Sequence, residues 1–219
     1  MKILVIGATG RVGRYLVEYS LEKGHEVTAF ARNISDFPLQ SPSLTLFQGD
    51  ILYPALIEAA MQDHDVVLSV IGIRKFSGPI TLLSTGINNI VSVMEKTGKK
   101  RLITITGAGI LQENENLLIM DSLSFPPNLL NLSLDHLRVY ETLKNSSLDW
   151  TLVAPAFMRN GRRTGKYLTT ADYYPSPARN EVSVEDVADF ITNEMESNQY
   201  VKRRVGIAHP IKQKEKNIT

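Results

Sequence analysis

Three glycines, at positions 7, 10 and 13, punctuate GATGRVG, which follows the apolar run KILVI at 2–6 and precedes an amphipathic stretch. Strand, glycine turn and helix in that order form the setting in which such a turn holds phosphate. Gly7 allows the turn, Gly10 lets main chain approach a diphosphate, and Gly13 brings the helix close to the sheet. Free amides at the helix start then face the phosphates. The spacing is G-x-x-G-x-x-G rather than G-x-G-x-x-G. A site for NAD commonly carries an acid roughly 20 residues further on, bonded to the ribose diol. Here EVTAFARN has no acid between Val27 and Asn33 and supplies Arg32 instead. A carboxylate would repel a 2′-phosphate, whereas a guanidinium pairs with it as a fork. Arg11, inside the turn, is placed to reach the same group. The cofactor expected is NADP(H).

Other chemistry is sparse. The chain has no cysteine, which removes thiolate catalysis, disulfides and zinc–thiolate sites and suits a reducing cytosol. Of four histidines, His25 and His64 fall beside strands at the expected surface and His209 near a frayed end. His136, in DHLR, is the one worth testing at a site, with a structural hydrogen bond as its ordinary role. A net charge of +1 gives no field that recruits nucleic acid or an anionic membrane. The basic clusters at 99–101, 162–163 and 202–204 are short and read as solvated surface. No segment approaches the roughly 20 apolar residues of a membrane helix. The N-terminal run is too short for a signal-peptide core, so a cytoplasmic location is expected.

These residues need a frame, and the hydrophobic pattern supplies one. Apolar, β-branched runs occur at 2–6, 26–30, 44–47, 65–71, 101–106, 150–154 and 204–208. Several are apolar at consecutive positions, as in parallel strands covered on both faces. Helical periodicity lies between them. Val12, Leu16 and Tyr19 share a face that Gly24 ends; Pro79 opens a second pattern that runs to Gly98; Ser183 and Asp186 form the start of a third. The chain therefore reads as an α/β protein: one doubly wound, mostly parallel sheet of about seven strands over residues 1–210, with a tail at 211–219. Two long irregular connections, 107–133 and 157–182, should begin at carboxyl ends of strands, where ligands of open sheets bind. They are expected to wall a substrate pocket, with Ile110 and Leu111 against the substrate.

Taken in order, GATGRVG, AFARN, FQGDI, VIGIR, STGINNIV, ITGAGIL, DHLRVYETLKNSSLDWTLVAP and VSVEDVADFI resemble the atypical short-chain dehydrogenase/reductases, over roughly residues 2–208. The branch most resembled contains NADPH-dependent flavin reductases. The resemblance implies that Gly7, Thr9, Gly10, Arg11, Val12 and Gly13 hold the diphosphate and that Arg32 meets the 2′-phosphate. It implies that Asp50 and Ile51 border the adenine and that Gly72, Ile73 and Arg74 lie along the cofactor. Thr106 and Gly107 would stand beside the nicotinamide, with Pro155, Ala156 and Phe157 lining its pocket. By the same analogy His136 and Arg138 lie on the substrate side.

The departures from that pattern concern proton delivery. Leu134 stands where carbonyl-reducing relatives carry a tyrosine, and Arg138 where they carry a lysine. Tyr140 is two residues beyond Arg138 and projects from another side of the helix. Gly107 and Ala156 stand where the flavin-reducing branch has a serine and a histidine. With no side-chain general acid, the expected reaction is hydride transfer from NADPH to flavin, quinone or a similar flat acceptor, whose ring spreads the incoming charge. The contrasting expectation is an NADP(H) sensor without turnover, of the nitrogen-metabolite-repressor type. A sugar-nucleotide epimerase fits less well, because those enzymes keep the tyrosine. A small-molecule partner, no nucleic acid, and a monomer or homodimer complete the reading.

Overall fold

The structure is a computed structural model that describes residues 1–73 and 78–211. In chain order its elements are β1 (Lys2–Ile6), α1 (Gly13–Glu22), β2 (Glu26–Ala31), β3 (Leu44–Gln48), α2 (Pro54–Ala60), β4 (Val66–Ser69), α3 (Leu82–Thr97) and β5 (Arg101–Ile105). There follow β6 (Gln112–Asn114), β7 (Leu117–Leu118), α4 (Leu130–Lys144), β8 (Asp149–Pro155) and β9 (Phe157–Arg159). The last are β10 (Leu168–Ala171), β11 (Glu181–Ser183), α5 (Val184–Ser197) and β12 (Arg203–Ala208).

One eight-stranded sheet has the order β10-β12-β8-β5-β4-β1-β2-β3, parallel except for β10. From β1 the chain winds outward one way through β2 and β3, then the other way through β4, β5, β8 and β12. The reversal leaves a crevice between the carboxyl ends of β1 and β4, the switch point at which open α/β sheets bind ligands. The sheet has one strand more than the sequence reading. The extra strand, β10, is half-exposed and lies inside the Gly- and Pro-rich stretch, where alternation is weak.

Alternate side chains of the strands feed two cores. Ile3 and Val5 pack beneath α1 and α5 with Leu16, Val17, Val187 and Ile191. Leu4 and Ile6 face α2, α3 and α4 with Ile57, Ile87, Ile90 and Val139. Each fully buried aliphatic side chain stabilises the fold by about 1.5–3 kcal/mol, so both helix layers are held by this alternation. Gly24 and Gly98 end their helices with positive φ, and the Ser183 hydroxyl accepts the Asp186 amide at 3.0 Å, as the sequence predicts.

The start of α3 departs from expectation. Pro79 lies ahead of the helix, which begins at Leu82. The carboxylate of Asp135, fully buried on α4, accepts the amides of Leu83 at 3.0 Å and Ser84 at 3.4 Å. That remote anion satisfies first-turn donors and complements the helix dipole, and so fixes the start. Tail residues 212–219 lie outside the described residues, as does Arg74.

Candidate functional site

The glycine turn occupies the switch point. Gly7 has φ +88°, and a Cβ there would sit 3.0 Å from the Val70 carbonyl oxygen just past β4. At Gly13 a Cβ would lie 2.2 Å from the Gly7 carbonyl oxygen, inside any allowed contact. These positions need glycine to join β1, β4 and α1 at close range. The turn is tied to β2 by the Gly7 amide, which donates to the Phe30 carbonyl at 2.9 Å, and closes through Gly10 donating to Gly7 at 2.9 Å. The amides of Thr9, Arg11, Val12 and Gly13 have no backbone acceptor among the described residues. Among the described residues no side chain caps α1, and its first turn has no acid. The helix therefore presents unpaired donors and the positive end of its dipole to an incoming anion.

A groove of about 220 Å³ leaves the turn, lined by Gly7, Thr9, Gly10, Phe30, Arg32, Asp50, Ile51, Val70, Ile71, Gly72 and Leu82 among others. Most of the expected diphosphate and adenine positions are thereby brought together. Phe30 forms part of the floor, and Gly49 passes so close over it that a Cβ would lie 2.3 Å from the ring. The Asp50 carboxylate accepts the Leu52 amide at 3.0 Å, and Asn89 donates to the Ile51 carbonyl at 2.9 Å. Gly86 leaves room for the Ile51 side chain, 2.3 Å from where its Cβ would stand. Asn89 and Gly86 were absent from the sequence reading as site residues. STGINNIV carried them, but their roles depend on α3 packing beneath residue 51.

A second groove of about 240 Å³ shares Thr9 with the first and is lined by Arg14, Asn33, Ser35, Asp36, Phe37 and Pro38. Arg32 lies exposed where the two meet and pairs with no acid among the described residues. Arg11 does not reach this place. Its guanidinium donates to the Met158 carbonyl at 3.1 Å and to Asn160 Oδ1 at 3.0 Å, fastening the segment after β8 over the turn. The nearby second cation is Arg14, one turn along the helix.

At the other end of the crevice, Thr106 donates its amide to the Val153 carbonyl at 2.8 Å, with its hydroxyl turned to the same oxygen at 3.4 Å. It is buried and joins β5 to β8. Pro155 and Ala156 are also buried, paired with Ile207 on β12, while Phe157 is exposed at the rim. Ile110 and Leu111 are fully buried and cannot touch a substrate. The Arg204 guanidinium, bonded to the Ile110 carbonyl and stacked 4.5 Å over the Tyr140 ring, pins that segment inward. The two long connections meet where Gln112 donates to the Asp172 carbonyl at 2.9 Å.

The DHLR stretch divides by direction. Asp135 caps α3, and Arg138 donates to the Ile80 carbonyl at 3.1 Å and to Asp135 at 3.3 Å. Arg138 is thus a clamp on the entry to α3. His136, 7 % exposed, lies on Gly107 instead: a Cβ at Gly107 would be 3.5 Å from its Cε1. The expected structural hydrogen bond is missing among the described residues. Burial lowers its pKa to about 4, against a smaller opposing pull from the Asp135 charge, so the ring is neutral at pH 7.

Two histidines also sit differently from expectation. His64 is half-buried with Nε2 2.9 Å from the Thr28 hydroxyl. His209 is anchored, its Nε2 2.8 Å from the buried Asp186 carboxylate. Burial opposes ionisation of Asp186, but donors from Thr164, Gly165 and His209 outweigh it and hold its pKa below the ordinary value. This cluster fixes the 157–182 connection to α5. Among the described residues no helix is long and apolar enough to cross a membrane, and no acid–histidine cluster could hold a metal.

Switch-point crevice, glycine turn and uncapped helix define a Rossmann dinucleotide-binding protein. The family comparison agrees: the chain belongs to the NAD(P)H-binding family, whose model matches residues 7–198. A Bacillus subtilis relative, the uncharacterized protein YwnB, is 28% identical over 211 residues, covering 93% of this chain and 96% of its own. A Streptococcus pneumoniae structure described as a candidate NADH-flavin reductase superposes with TM-score 0.82 at 25% identity, over 95% of this chain and 99% of that one. A Burkholderia pseudomallei structure described as a candidate exported protein gives TM-score 0.83 at 28% identity, over 95% and 100%.

Proposed function

We propose that this protein is an NADPH-dependent oxidoreductase that passes hydride to flavin, quinone or a similar flat acceptor. The observation that carries the reading is the set of residue types just past β5 and β8 and on α4. Gly107 and Ala156 offer no proton, Leu134 replaces a phenol, and the neighbouring His136 is neutral. A carbonyl substrate that needs a proton with its hydride would lose the roughly 10²–10⁴-fold that a positioned acid supplies. A conjugated ring takes the hydride onto delocalised orbitals, and water protonates it afterwards. For such a reaction the protein contributes position and exclusion of water. Similarity to a candidate NADH-flavin reductase supports the same class.

NADP(H) is the proposed cofactor because Arg32 is unpaired at the groove, with Arg14 close by. Asp36 lines the neighbouring groove and works against a phosphate there, which makes Arg32 decisive. The site is built within one chain, so a monomer suffices and a homodimer is compatible. We place the activity in the cytoplasm, where reduced nicotinamide is regenerated. The test is NADPH oxidation by the purified protein with FMN, riboflavin and menadione. Turnover with at least one supports the reading. No turnover, with NADPH and NADP⁺ bound at different affinities, would make it a sensor.

A further inference from the structure

Arg11 serves two places at once. Its main chain lies in the glycine turn, where its amide has no backbone acceptor among the described residues. Its side chain leaves the turn: one guanidinium nitrogen donates to the Met158 carbonyl at 3.1 Å and to Asn160 Oδ1 at 3.0 Å. The resemblance implied a phosphate contact for this residue, and the geometry gives its side chain a protein wall instead.

That contact crosses the sheet. β8, which delivers Met158, and β1, which delivers the turn, are separated by β5 and β4. At about 4.8 Å per strand the gap is about 14 Å. Extended chain from Pro155 to Met158 reaches about 10 Å, and the Arg11 side chain closes the remainder. The far end is firmly seated. Met158 lies opposite Val182 in the β9–β11 pair and packs on the core beneath α1 and α5. Further along, Arg163 Nε donates to Asp189 Oδ1 at 2.7 Å, with its guanidinium 4.3 Å over the Tyr19 ring. The Asp186 carboxylate accepts the Thr164 and Gly165 amides at 2.7 and 2.9 Å. The Arg11 side chain thus joins the phosphate turn to a wall built on α5, across the ends of β4 and β5.

Resting on the reductase reading above, we propose that Arg11 is a positioning residue whose side chain sets the spacing between the diphosphate turn and the 157–160 wall. It thereby aligns hydride donor with acceptor and takes no part in bond making. The nicotinamide half of a dinucleotide extends from the turn past the ends of β4 and β5, the interval this tie spans. A misplacement of about 1 Å at reacting distance can cost about 10²-fold in rate. A fixed tie therefore has leverage on turnover that it lacks on affinity. The coupling runs both ways: a diphosphate that orders the turn fixes Arg11, and through it Met158 and Asn160.

The test uses the full chain, with Arg11→Ala, Asn160→Ala and the double variant. Calorimetry with NADP⁺ should show affinities within about threefold of wild type. In NADPH oxidation with FMN or menadione, kcat should fall by about tenfold in Arg11→Ala and about threefold in Asn160→Ala. The double variant should be no worse than Arg11→Ala, because both substitutions remove the same tie. Arg11→Lys, which keeps a donor, should recover part of the loss. Amide hydrogen exchange gives a readout without turnover: NADP⁺ should slow exchange at 158–160 in wild type and leave it unchanged in Arg11→Ala. A loss of NADP⁺ affinity of about tenfold or more in Arg11→Ala alone would make the side chain a phosphate ligand and overturn the proposal. Kinetic losses that multiply in the double variant would overturn it too. If NADP⁺ binds and FMN is reduced while exchange at 158–160 does not respond, the proposal fails and the reductase reading stands. If no acceptor is reduced, the reductase reading fails and exchange alone decides the tie; if no nucleotide binds, both fail.

Discussion

The Asp135 carboxylate, wholly buried on α4, receives the Leu83 amide at 3.0 Å and so caps α3 from a neighbouring helix. Asp135→Ala would leave the Leu83 and Ser84 donors unpaired and remove the partner of Arg138. Losses of this kind amount to about 2–4 kcal/mol. Urea denaturation should show that drop, whereas Asp135→Asn, which keeps an acceptor, should lose less than half as much. Arg138→Ala, removing a half-exposed side chain, should cost under about 1 kcal/mol. A larger effect on turnover than on stability from Arg138→Ala would return that residue to the substrate side.

Arg32 should set the nucleotide preference. Arg32→Glu replaces an attractive fork with a repulsive charge, and a charge-assisted pair is worth about 1.5–3 kcal/mol. We expect NADPH affinity to fall by about 10- to 100-fold while NADH affinity changes little. Parallel initial-rate measurements with both nucleotides check this, and an unchanged ratio would reassign the 2′-phosphate site, with Arg14 the next residue to test.

Close packing at the turn predicts intolerance. A methyl group at Gly13 would stand 2.2 Å from the Gly7 carbonyl. Gly13→Ala should therefore displace α1 from β1, costing about 1–3 kcal/mol and abolishing nucleotide binding. Thermal unfolding with and without NADPH reads both effects. The same substitution at Gly24, where a Cβ meets nothing within 4 Å but φ is +79°, should destabilise without affecting nucleotide binding.

Stability should weaken in mild acid. The His136 pKa is lowered from 6.5 to about 4, chiefly by burial. Between those values the unfolded chain binds a proton that the native chain does not, so unfolding becomes more favourable as pH falls through 6.5 toward 4. The contribution is fully retained above pH 6.5 and wholly lost below about 4, about 3 kcal/mol in all. Burial lowers His64 as well, with the same sign. His136→Gln should flatten the curve relative to wild type. Parallel curves would show that His136 does not titrate as its burial implies.

Much of the frame was legible because its signals are local. Strand pattern, glycine turn and missing acid all fall within the first 33 residues, and each follows from one segment's chemistry. What escaped depends on distant segments. Arg11 lies in the right turn, yet its direction is set by Met158 and Asn160, almost 150 positions away. Ile110 and Leu111 carry the apolar character of a substrate wall, but Arg204 draws their segment into the core. The α2 helix is only seven residues long, too short to show a period. His209 looked loose because its partner, Asp186, is identifiable in sequence only as part of a helix start.

In the proposed complex, amides at the start of α1 that have no backbone acceptor among the described residues grip the diphosphate, and Arg32 selects the phosphorylated ribose. Calorimetric titration of the intact chain with NADPH and with NADH tests this most directly. One site per chain is expected, with NADPH bound at least about tenfold tighter than NADH. Neither nucleotide producing heat or raising the melting temperature would contradict it.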